Sequence, residues 1–184
     1  MVDSDTTAER KRQHRLGAHY EAQQIRPYLD MLERRVRDPY PLSGSVRTSF
    51  EKHSFEQYVD MRNLLSECKA LIVIIENRLA SAREAGEETA RLEDNLALLT
   101  TQLWETLLAT ALEFFRSVAS STRLPLGSRD VFVRELKTLH DARSLLQRPP
   151  YSARVEQVTM DNLDKAEKIL REIIARAPGL LDLG

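Results

Sequence analysis

Apolar residues recur every three and four positions between Tyr58 and Ala82. Tyr58, Leu65, Ile72 and Leu79 stand seven apart, and Met61, Cys68, Ile75 and Ala82 fill the alternate places. That spacing puts eight side chains on one stripe of an α-helix and predicts a helix starting between Thr48 and Ser54 and ending near Ala85. The run Ala70–Ile75 is β-branched enough for a buried strand, but it lies inside the longer helical repeat. A third helix follows almost at once, from Glu87 or Glu88 to about Ser120. One of its stripes reads Leu92, Leu96, Leu99, Leu103, Leu107, Phe114, Val118. A second apolar face on the same segment carries Trp104, Leu108, Ala111, Leu112 and Phe115. A helix apolar on two sides is surrounded by neighbours, which makes this one central.

The same pattern predicts three further helices. The first, capped by Thr6 or Thr7, runs to about Arg37 with Ile25, Leu29, Leu32 and Val36 on its inner side; Leu16 and Tyr20 are the best anchors of its weaker first half. Pro27 lacks a backbone donor and crowds the preceding turn, so a kink or break is expected there. The fourth helix starts at Ser128 as cap and carries Phe132, Leu136, Leu139, Ala142 and Leu146. The fifth starts at Thr159 as cap and carries Leu163, Ala166, Leu170, Ile173 and Ala177. Its outer face holds acid-first pairs four apart, such as Asp164–Lys168 and Glu167–Arg171, which read as a solvated surface. Linkers fall near 38–47, 121–127 and 147–158, where Pro, Gly and Ser collect, and residues 1–5 are expected to fray. The expected product is an all-α, elongated up-and-down bundle of four to five helices forming a single domain over 1–184.

Length and composition agree. A chain of 184 residues suits one domain with a self-sufficient core. The single cysteine, Cys68, excludes an internal disulfide and a multi-thiolate metal site, and its place on the seam makes it a small core residue. No apolar run approaches the ~20 residues of a membrane span, and a cytoplasmic location is expected. Net charge is −1, so no global field selects a polyanion.

Candidate chemistry is thin. The histidines His14, His19, His53 and His140 form no Glu-x-x-His pair, and no phosphate loop or nucleophile elbow is present. No metal, cofactor or catalytic group is therefore expected. His140-Asp-Ala-Arg-Ser-Leu-Leu146 resembles the phospho-accepting box of sensor histidine kinases: His140, Asp141 and Arg143 match, while Leu145 stands where that family usually has proline. The resemblance covers seven residues and implies phosphotransfer, with His140 as nucleophile and Asp141 orienting it. The dense basic cluster Arg10, Lys11, Arg12 and Arg15 could contact an anion, including nucleic acid, although neighbouring acids and the overall charge weigh against a nucleic-acid partner. The remaining signal is apolar helix surface. It points to a non-enzymatic interaction module or small adaptor, binding a protein partner or a second copy as a homodimer through Trp104, Leu108, Leu112 and Phe115.

Overall fold

The computed structural model of the chain describes residues 3–37, 54–82, 87–120, 124 and 126–179. Those residues form five α-helices and a short 3₁₀ turn, with no strand among them: α1 Asp3–Arg37, α2 Ser54–Ser81, α3 Glu87–Ser120, α4 Ser128–Leu146 and α5 Gln157–Arg176. The linker expected near 38–47 lies outside the described residues. The chain divides into two compact units, residues 1–38 with 64–100, and residues 39–63 with 101–184.

All eight residues of the α2 seam are buried, with Cys68, Ile75 and Ala82 fully so. In the first unit the seam's second half packs with α1 and the start of α3. Arg35 of α1 bonds Glu67 of α2 at 2.7 Å, and the Arg78 guanidinium sits 5.1 Å over the Tyr28 ring, so α1 and α2 run antiparallel. Arg26 bonds Glu88 of α3 at 3.0 Å, and Asp30 shares a cleft with Asn95, so α1 and α3 run parallel. That is the up-and-down order. The end of α2 is tied to the start of α3 by the buried Thr89 hydroxyl, which donates to the Ala82 carbonyl at 2.8 Å. It satisfies one of the acceptors that a helix C-terminus leaves open.

In the second unit α4 and α5 form an antiparallel hairpin. Arg143 bonds Glu167 at 3.0 Å and also reaches Asp164, while the Arg129 amide faces the Pro178 carbonyl at the other end. Leu163, Ala166, Leu170 and Ile173 are fully buried. The outer acids of α5 are thus not all spent on pairs along their own helix: Asp164 and Glu167 turn to α4. Arg176 donates to the carbonyls of Val118 and Ala119, closing the C-terminus of α3.

Several expectations need correction. Of the kink or break expected at Pro27, the break is absent: α1 runs unbroken from Asp3 to Arg37. α1 also starts ahead of Thr6 and Thr7, at Asp3, so neither threonine is its cap. Leu16 and Tyr20 anchor nothing: both are about three-fifths exposed (63% and 60%). The cap of α4 is Gly127, at φ 77°, and Ser128 is already helical, with its hydroxyl buried and unpartnered. A left-handed φ favours glycine, and a serine one position later no longer aims its oxygen at the first free amides. Thr159 likewise lies inside the first turn of α5; Glu156 is the cap, and the expected loop up to 158 contains the 3₁₀ turn Tyr151–Ala153, with Tyr151 buried.

Gly17 is an exposed glycine inside α1, and a Cβ there would meet nothing within 4 Å. Gly17→Ala should therefore raise stability by about 0.5–1 kcal/mol, read as a shift of the urea midpoint at unchanged slope.

Candidate functional site

The residues expected to form an interaction face on α3 are core. Trp104, Leu108, Leu112 and Phe115 are each no more than 4% exposed. Sequence periodicity reveals how many sides of a helix are apolar but not which of them the chain itself covers, and here it covers both. The aromatic part of this core is ordered. Tyr58 stacks on Phe114 at 4.2 Å between centroids, nearly parallel, and Phe115 meets both rings edge-on.

Beside that stack lies a buried polar cluster joining α2 and α4. Arg62 Nη1 is 3.0 Å from Glu135 Oε2 and donates to the Thr138 hydroxyl at 3.3 Å. Burial holds the Glu135 carboxyl above the usual carboxylate range, against the opposing pull of Tyr58 and Arg62. Tyr58 is buried, and burial together with the negative charge of Glu135 pushes its hydroxyl pKa far up. Every group in the cluster is held by another element of the fold or shielded by it.

The remaining polar candidates are on the surface. His140 and Asp141 are exposed on α4, while Arg143, the third residue of the resemblance, is committed to Asp164 and Glu167, which hold its guanidinium above the usual range. The backbone of Arg10, Lys11, Arg12 and Arg15 is part of α1; their side chains lie outside the described residues. His19 Nδ1 is 2.6 Å from Glu88, whose other oxygen takes Arg26. This arrangement borders an open cleft of about 700 Å³ lined by Arg26, Asp30, Glu88, Arg91 and Asn95 over Leu29 and Leu92. Its charges are balanced, two cations against two anions, so it offers no net field to a ligand. Among the described residues no three His, Cys, Asp or Glu side chains are grouped to hold a metal ion. Cys68 is fully buried, and burial pushes its thiol up to about 11, which keeps it protonated.

One surface stands out by its lack of charge. Opposite its buried seam, the α2 helix presents Ser66, Ala70, Val73, Ile74, Asn77, Ala80 and Ser81, all exposed. At ~100° per residue these seven share an arc of about 120°, and they run over about 22 Å of helix. Val73 is 54% and Ile74 39% exposed. The charged residues of this stretch, Glu67, Lys69, Glu76 and Arg78, stand at the edges of the arc. The signal was present in the sequence as the apolar run Ala70–Ile75, which contributes to both sides of the helix; the stronger seam on the buried side masked it. No helix among the described residues is long and apolar enough to cross a membrane.

Comparison with protein-family models, with curated proteins and with solved structures finds no match to the chain.

Proposed function

We propose that the protein is a helical interaction module, acting by binding another protein chain rather than by chemistry, and that its docking surface is the outer face of α2. The observation that carries this reading is the uncharged exposed arc from Ser66 to Ser81 centred on Val73 and Ile74. A solvent-facing helix side normally carries charge, as the outer side of α1 does with Arg26, Asp30, Arg34 and Arg37. An arc without charge costs little to desolvate, and two branched side chains at its centre gain from burial. The Leu, Trp and Phe residues of α3 play no part in it.

The test places a photo-crosslinking residue at position 73 of the full chain in cell lysate, with position 165 on α5 as control. Position 73 is expected to form a discrete covalent adduct with a protein chain, and Val73→Glu in competition is expected not to displace it while wild type does. Val73→Glu should leave the urea midpoint within about 0.5 kcal/mol of wild type, because the site is exposed and glutamate is the better helix former. Equal labelling from positions 73 and 165 would overturn the reading.

A further inference from the structure

We draw no further inference here: the strongest candidate, the exposed apolar surface patch of Leu16, Tyr20 and Met31 along the outer side of α1, is an unpartnered helix face, and nothing in the structure shows what covers it.

Discussion

Leu108→Asp, and separately Trp104→Glu, should abolish the cooperative fold rather than weaken a binding event. Both side chains are within 4% of complete burial, on the face of α3 that periodicity alone would leave open to a partner. A carboxylate at either buried site loses its hydration, and the packing lost from a leucine or tryptophan adds to that. Each large-to-small core change of this kind costs about 3–5 kcal/mol before any charge is counted, which is comparable with the whole stability of a small domain. Far-UV circular dichroism against urea is the check. The expected trace is a loss of the folded baseline at low denaturant, with wild type retaining it. A folded variant with a wild-type midpoint would show that these side chains are not core.

The second large effect concerns Glu135. Its carboxyl is held above the usual range by burial, so the folded chain binds the proton more tightly than the unfolded one. The sign follows directly: stability from this group is fully present below the unfolded carboxylate pKa of about 4.3 and is lost as pH rises through the raised folded value. Glu135→Gln removes the titration, so the difference between wild type and variant should be smallest near pH 4 and move in favour of the variant as pH rises above the usual carboxylate range. Arg62→Ala acts in the opposite way. It strips the buried carboxylate of the guanidinium 3.0 Å away and should cost about 3 kcal/mol at neutral pH, less in acid where Glu135 is neutral. That figure is at the low end for a broken buried pair because the Arg62 side chain is itself 32% exposed. Urea midpoints across pH decide both. A wild-type minus Glu135→Gln difference that stays flat with pH would show that Glu135 does not titrate differently in the fold.

The helices and their inner stripes were legible because they follow from local rules. Every buried residue of the α2 seam, of the α5 line and of the Ile25–Val36 stretch of α1 could be named from spacing alone. The ends were less legible. Ser128 and Thr159 are good capping residues by type, yet the cap positions went to Gly127 and Glu156, because the backbone path into each helix is set by what the preceding loop must do. Pro27 was expected to kink or break α1, and the helix runs on without the break. Packing along Ala22, Ile25, Leu29 and Leu32 holds both sides of the proline, which can outweigh the single backbone bond it forgoes.

The candidate surface divides in the same way. The sequence by itself determined that this chain is all-α, where its apolar stripes lie, and that α3 is apolar on two sides, since these depend only on residue type and a period of about 3.6. Only the tertiary structure decided which stripes are satisfied internally. It covers both faces of α3, places Glu135 against Arg62 across a gap of 73 positions in sequence, and leaves the uncharged side of α2 in water. The physical reason is that burial is a property of neighbours. A stripe of leucines and a stripe of alanine, valine and asparagine each announce a helix face, and the contacts made by distant segments determine which face remains for another chain.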